Sequence, residues 1–316
     1  MVRRVALAVV VVAILIPSAV LAALRLATPS AALWVQLTSF VPWAVPLLVV
    51  GAVALAILWW PKRSDRTTIA VAAVLVGLLA LHLTWLAPQW VGGAPRADPE
   101  AEAITVVVIN ARFGRADAVA VAERVRDEEA GILVVSEATP AFVEALTAAG
   151  ISDRLPMFGG AAADGAGGTV VFSTDPVETI ERVEMPFGTY VLRTQGQTMI
   201  AAHPRTPRDI DGWHTDHEAL RVAAREHGVT LIAGDLNATV DHEPVRRLLD
   251  DGYRDAAELT NAGWAPTWPV DRDLPLPVVA IDHVLVTDEV AVVDHSTFEV
   301  GGTDHRGLVT TVAPAA

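Results

Sequence analysis

The chain has 316 residues, no cysteine and a formal net charge of −14. The missing thiols exclude disulfides and thiolate metal sites. The acidic balance argues against nonspecific nucleic-acid binding, which depends on Lys and Arg neutralising phosphates.

The length allows about two domains, and composition divides them. Hydrophobic residues make up 52% of the chain and mean hydropathy is +0.41. Much of that excess lies at the front. Val5 to Leu24 is apolar apart from Pro17-Ser18, Phe40 to Trp60 is a second apolar run, and Ile69 to Leu86 a third, with His82 its only ionisable residue. Each is long enough to cross a bilayer core, which takes about 20 helical residues. Arg3 and Arg4 precede the first run, as in a cleaved signal peptide, but two more runs follow it. Trp59, Trp60, Trp85 and Trp90 lie near the ends of the runs, where indole rings favour the interface. Arg3 and Arg4, then Lys62, Arg63 and Arg66, contrast with an uncharged loop from Ala27 to Ser39. The positive-inside rule puts the basic segments in the cytoplasm, and three spans then place everything after Pro88 outside. Arg25 sits at the outer end of the first span and is expected to snorkel to the headgroups.

Residues 1–96 hold seven basic residues and one acid, a net +6, so residues 97–316 carry −20. A linker over 91–102, rich in Gly, Pro and charge, separates a membrane domain (1–90) from a second domain (103–316). In that domain Ile104 to Ile109 is a β-branched run ending at Asn110. Ala116 to Asp127 has helical spacing. Gly131 to Val135 is a buried strand with Glu137 just beyond it. Pro140 to Ala149 is a short helix closed by Gly150. Gly168 to Phe172 and Tyr190 to Arg193 have strand character, and Met199 to Ala202 is a strand ending at His203. A helix is expected over Thr215 to Glu226. The apolar run Val229 to Ala233 leads into Gly234-Asp235-Leu236-Asn237. Glu243 to Asp250 is helical, Val279 to Val286 is a strand carrying Asp282 and His283, and Thr303-Asp304-His305 follows a weaker strand pattern. Early alternation of strand and helix, with more strand later, predicts α/β layers with mixed sheets.

Successive strands end in Asn110, Glu137, His203, Asp235 and Asp304, which suggests a common rim. Acids, an amide and an acid–imidazole pair at strand ends suit metal-assisted attack on a phosphate ester. Carboxylates hold a hard cation through oxygen. The cation and an imidazole neutralise phosphoryl charge, and a carboxylate takes the proton of an attacking water.

The ordered set Asn110, Glu137, His203, Gly234-Asp235-Leu236-Asn237, Ile281-Asp282-His283 and Thr303-Asp304-His305 resembles the endonuclease/exonuclease/phosphatase superfamily, with its DNase I-like fold. The resemblance runs from Ile104 to the C-terminus. It implies a four-layered α/β/β/α sandwich, here preceded by three transmembrane helices, and Mg²⁺- or Mn²⁺-dependent hydrolysis of phosphate esters. It also implies roles. Glu137 is the main metal ligand, with Asn110 and Asp304 near the same ion. Asp235 places or deprotonates the water, Asn237 orients it, His203 and His305 meet the phosphate, and Asp282 supports the histidines. Two positions depart from the pattern: Ser136 stands where a glutamine is common and Thr174 where an arginine is.

The expected function is that of a membrane-anchored phosphoesterase with its catalytic domain outside the plasma membrane. A small or lipid-linked substrate is favoured by the −20 charge. An envelope nuclease and a noncatalytic envelope scaffold are the alternatives. Asp235 and Asn237 could instead only cap a turn. His214, Asp216 and His217 lie near a helix start and are expected in a solvated first turn, with a second metal site as the alternative. Trp264, Thr267 and Trp268 suit either a cleft wall or packing on the sheet, and Leu274 to Pro277 a loop.

Overall fold

The computed structural model describes residues 5, 8–59, 66–270 and 276–316. Arg3, Arg4, Trp60, Lys62, Arg63 and the start of the proline-rich loop at Leu274 lie outside the described residues. The chain forms two compact units. One comprises Met1–Pro88 with Asp241–Glu243, the other Gln89–Val240 with Pro244–Ala316.

In the N-terminal unit, α1 spans Ala8–Leu26, α2 Ala32–Thr38, α3 Ala44–Trp59 and α4 Arg66–Leu86. Helices Ala8–Leu26 and Arg66–Gln89 are each long and apolar enough to cross a membrane. Among the described residues, a third span is counted only if Ala32–Thr38 and Val41–Ile57, bent by 55°, are taken as one. The expected loop from Ala27 to Ser39 thus contains a helix, because Ala32-Leu33-Trp34-Val35 has no breaker before Ser39. Side chains of Ile14, Leu48 and Leu75 form a core between these helices. Arg25 Nε donates to Asp241 Oδ1 at 2.6 Å, and its guanidinium lies 4.5 Å from the Trp85 ring centroid.

The C-terminal unit holds two six-stranded sheets. Its strands are β1 Ile104–Asn110, β2 Ile132–Ser136, β3 Met157–Ala161, β4 Thr169–Ser173, β5 Glu178–Arg182, β6 Tyr190–Thr194, β7 Gln197–Ala202, β8 Leu231–Asp235, β9 Arg254–Asp255, β10 Asp282–Val286, β11 Val290–Phe298 and β12 Gly307–Pro314. The first sheet has the order β11-β12-β1-β2-β4-β3, the second β5-β6-β7-β8-β10-β9. Pairs β1–β2 and β7–β8 are parallel and the others antiparallel, so both sheets are mixed. Ala97 bridges to Ala315 and Asp98 N–H donates to Pro314 O, so the Gly- and Pro-rich segment runs beside the last strand.

Side-chain alternation builds the core. On β1 and β2, Val106, Val108, Ile132 and Val134 face Met199, Ala201, Leu231, Ala233, Val284 and Val286 of the second sheet. The intervening Val107, Ile109, Leu133 and Val135 face the helices α5 (Ala118–Asp127) and α6 (Pro140–Ala148), through Val121, Val125, Phe142 and Leu146. Each such fully buried aliphatic side chain contributes about 1.5–3 kcal/mol. Asp117 starts α5 by accepting from Val119 N and Ala120 N, and Thr139 starts α6 with Pro140 behind it. The short α7 (Ile151–Arg154) follows left-handed Gly150.

Helix α8 spans Ile210–Glu226, capped by Asp209, and so begins before the expected start at Thr215. This corrects the reading of its first turn. Asp216 and His217 are buried, at 1% and 3% exposure. The Trp213 ring packs edge-on against His214 and His217, and Arg205 forks onto Asp216 at 2.7 and 2.9 Å. The polar residues turn inward because Trp213 and Arg205 partner them. Helix α9 spans Glu243–Asp250 and α10 Ala256–Leu259.

Candidate active site

The alternation that fills the core also builds the site. On β1 the inter-sheet positions are Val106 and Val108, and the next is Asn110. On β7 they are Met199 and Ala201, and the next is His203. On β8 they are Leu231 and Ala233, and the next is Asp235. On β10 they are Val286 and Val284, and the next is Asp282. Four polar side chains therefore continue the apolar inter-sheet face to one end of the sandwich. Asp282 and Asp235 are direct cross-strand partners, an arrangement of like charges that is unfavourable unless compensated.

Asp235 uses its two oxygens differently. Oδ1 accepts from Asn237 N at 2.8 Å, which makes the Asx turn that the simple capping reading expected. Oδ2 accepts from Asn110 Nδ2 at 2.9 Å and lies 3.8 Å from His203 Nε2 and 3.9 Å from His305 Nε2. Asn110 Nδ2 also reaches Glu137 Oε1 at 3.2 Å, and that oxygen is 3.9 Å from His203 Nε2. Phe113 N donates to Glu137 Oε2 at 2.8 Å. His305 Nδ1 is 2.9 Å from Asp282 Oδ2. The structure thus brings Asn110, Glu137, His203, Asp235, Asp282 and His305 together. Asn237 adjoins them, its Nδ2 donating to Pro204 O at 3.0 Å. Asp304 stands slightly apart, accepting from Trp268 Nε1 at 3.2 Å, with Arg112 Nε 3.4 Å away.

Backbone geometry supports this cluster. Gly234 has φ 146°, and a Cβ there would lie 2.1 Å from Ala202 O, so only glycine lets β8 approach β7 at this point. Glu137 (φ 55°) and Asn237 (φ 47°) adopt left-handed conformations, which cost about 1–3 kcal/mol each and collect at functional sites.

The site sorts its charges. Burial alone would lower the His305 imidazole. The charge of Asp282 and the hydrogen bond to it, helped by Asp235 and Asp304, outweigh burial and push it up to about 9. His305 is therefore an imidazolium at neutral pH. Burial, then the positive charge of His305, lowers His203 to about 4, leaving it neutral, and it stacks on Phe187 with centroids 5.0 Å apart. Burial, then the charge of Asp282, raises the Asp235 carboxyl. Burial also raises Glu137; Asn110, the Phe113 N–H and His305 oppose that, and the Asp304 charge adds to it.

Among the described residues, two sets of side chains offer metal-ligand atoms. Asp235, Asp282 and His305 have ligand atoms within 4.8 Å of one another. Within this group His305 Nδ1 and Asp282 Oδ2 already serve each other at 2.9 Å. Glu137 and Asp304 offer hard oxygen donors whose mutual repulsion a divalent cation would relieve, so the donor set fits Mg²⁺ or Mn²⁺. Asn110 Oδ1 accepts from Arg112 N at 2.8 Å, so its nitrogen, not its oxygen, faces the carboxylates.

Four supporting residues were not singled out as part of the site from the sequence. Thr303 Oγ1 donates to Asn110 O at 2.7 Å, and Trp213 Nε1 donates to Asn237 O at 3.1 Å. Arg112 is a half-exposed cation beside Asp304. Arg205 follows Pro204, whose carbonyl holds Asn237, and its backbone N donates to Asp216 Oδ2 at 3.0 Å. Only Thr303 carried a sequence signal, its place beside Asp304. Trp264 is half-buried. Thr267 is fully buried and its Oγ1 accepts from Ile281 N and Asp282 N, while Trp268 reaches the site at Asp304.

Similar architectures occur in solved structures. An endonuclease/exonuclease/phosphatase family protein from Bacteroides thetaiotaomicron is 14% identical, with a TM-score of 0.51 over 67% of this chain and 98% of that one. An endonuclease/exonuclease/phosphatase from Beutenbergia cavernae is 18% identical, with a TM-score of 0.51 over 68% of this chain and 72% of that one. D. rerio TDP2, solved with a single-strand DNA product, is 17% identical, with a TM-score of 0.50 over 67% and 99%. These likenesses establish the DNase I-like α/β fold. No curated protein matches the chain. The model of the Endonuclease/Exonuclease/phosphatase family matches residues 107–305, which contain every strand end described above, and the chain belongs to that family.

Proposed function

We propose that this protein is a membrane-anchored, Mg²⁺- or Mn²⁺-dependent phosphoesterase acting outside the plasma membrane on a small or lipid-linked phosphate ester. The observation that carries the reading is Asp235 Oδ2, a buried carboxylate oxygen ringed by Asn110, His203 and His305 at 2.9–3.9 Å. Glu137 and Asp304 would hold the cation, while Asn110, whose Nδ2 donates to Glu137 and Asp235, fixes the carboxylates beside it rather than ligating it as expected from the sequence. When bound, it neutralises charge on the phosphoryl oxygens. Asp235, raised by burial, takes the proton of the attacking water. Asn237 orients that water. His203 meets the phosphate, and the His305 imidazolium meets its developing charge. Asp282 keeps His305 charged and aimed.

The −20 charge of residues 97–316 supports a small or lipid-linked ester over a polynucleotide, which needs a basic groove. The apolar N-terminal helices support the anchor, and the basic residues of the sequence support the orientation. The test uses the full chain in detergent micelles with p-nitrophenyl phosphate, bis(p-nitrophenyl) phosphate, phospholipid vesicles and single-stranded DNA, each with Mg²⁺, Mn²⁺ or EDTA. Metal-dependent hydrolysis of a non-nucleic ester is expected. No turnover of any substrate with metal would overturn the hydrolase reading. Hydrolysis of DNA in preference to the others would overturn the substrate class.

A further inference from the structure

The turn that carries Asp235 and Asn237 is held from behind by a group the proposed chemistry does not use. His283 follows Asp282 on β10, so alternation sends its ring to the opposite face of the sheet. It is 3% exposed, and both ring nitrogens are engaged. Nδ1 lies 2.6 Å from Asp255 Oδ2, and Nε2 lies 2.9 Å from Ala238 O. A carbonyl can only accept, so Nε2 carries a proton. Asp255, on β9, is fixed in turn, because its Oδ1 accepts from Ala257 N at 2.8 Å. Ala238 directly follows left-handed Asn237, whose own carbonyl accepts from Trp213 Nε1 at 3.1 Å. Consecutive carbonyls of the turn are each held by a ring N–H from a different element.

We propose that His283 is a positioning residue: its Nε2–H, oriented by Asp255, holds the Ala238 carbonyl and thereby aims Asp235 and Asn237. This rests on the reading of Asp235 as the base. Loss of the contact should displace the water-activating carboxylate while leaving Glu137, Asp304 and His305 in place. Misplacement on the scale of about 1 Å costs up to about 10²-fold in rate.

Two neutral amides separate positioning from mere packing. In His283→Gln the amide nitrogen reaches the place of Nε2 and keeps the donor to Ala238. In His283→Asn it stops near the place of Nδ1 and loses that donor. The full chain is assayed in micelles with bis(p-nitrophenyl) phosphate and Mn²⁺, and kcat and KM are measured per folded protein, next to thermal melting. His283→Asn should lose about 10- to 10²-fold in kcat with KM within about 3-fold. His283→Gln should stay within about 3-fold of wild type in both. Equal kcat in the two variants, or a loss carried by KM, overturns the positioning role. Asp235→Asn in the same assay isolates the premise. If it keeps normal turnover, the reading of Asp235 fails. If it is inactive while the Gln and Asn variants match, only the positioning role fails.

Discussion

Asp235 shows how one side chain holds a turn with one oxygen and faces the candidate site with the other. Its Oδ1 closes the turn to Asn237, while Oδ2 faces the imidazoles. Capping and catalysis were alternatives when only the sequence Gly234-Asp235-Leu236-Asn237 was in view, because spacing cannot say which oxygen points where. Glu137 has a separate job in this account. Glu137→Gln keeps the size and the acceptor for Phe113 N–H but removes the charge. Mn²⁺ affinity, measured by titration calorimetry on the full chain, should fall by at least about 10-fold, and hydrolysis should fall with it. Unchanged affinity would remove Glu137 from the metal site. His217 illustrates the opposite lesson. From the sequence it looked like a solvated helix residue, but the Trp213 ring beside it buries it. A polar residue four positions after an indole is ambiguous without knowing which way the helix faces.

At the scale of elements, strand parity made much of the site legible. Runs such as Val106 to Val108 and Leu231 to Ala233 alternate between the two faces of a sheet, so the next polar residue on the inner face falls at the rim. The short or polar strands β3, β5 and β9 were not legible, because their edge positions require no continuous apolar run. The β9–β10 brace also has a pH signature. Burial alone would lower His283 and raise Asp255, but their mutual hydrogen bond and charge reverse both, so His283 is raised and Asp255 lowered. Asp282 and His295 also act on the pair. The raised His283 adds stability that is fully present below its ordinary value of about 6.5 and is lost as pH rises through its folded value. The lowered Asp255 adds stability that is present above its ordinary value of about 3.9 and is lost as pH falls through its folded value. Wild type should therefore exceed Asp255→Asn in melting temperature most between about pH 4 and 6.5. The gap should narrow on either side. A gap that does not change with pH would contradict the charged pairing.

At the scale of the whole molecule, composition separated an apolar front from an acidic enzyme, and the ordered strand ends pointed to the family. The number of spans was less legible, since Ala32–Thr38 and Val41–Ile57 bend by 55° within sequence read as one loop and one span. The proposed orientation predicts that a reporter active only outside the cytoplasm will work when fused after Ala316, and that protease added to spheroplasts will reach residues 97–316. Protection of those residues in sealed cells would reverse the topology. The central claim is that Asp235 activates water for attack on a phosphate ester held at this rim. Its most direct test is the turnover of bis(p-nitrophenyl) phosphate by full-length Asp235→Asn with saturating Mn²⁺, beside Arg193→Ala, which alters only an exposed ion pair with Glu178. The account predicts at least about a 10²-fold loss of kcat for Asp235→Asn, with Mn²⁺ binding retained and Arg193→Ala unchanged. Near-normal turnover by a folded, Mn²⁺-loaded Asp235→Asn would contradict it.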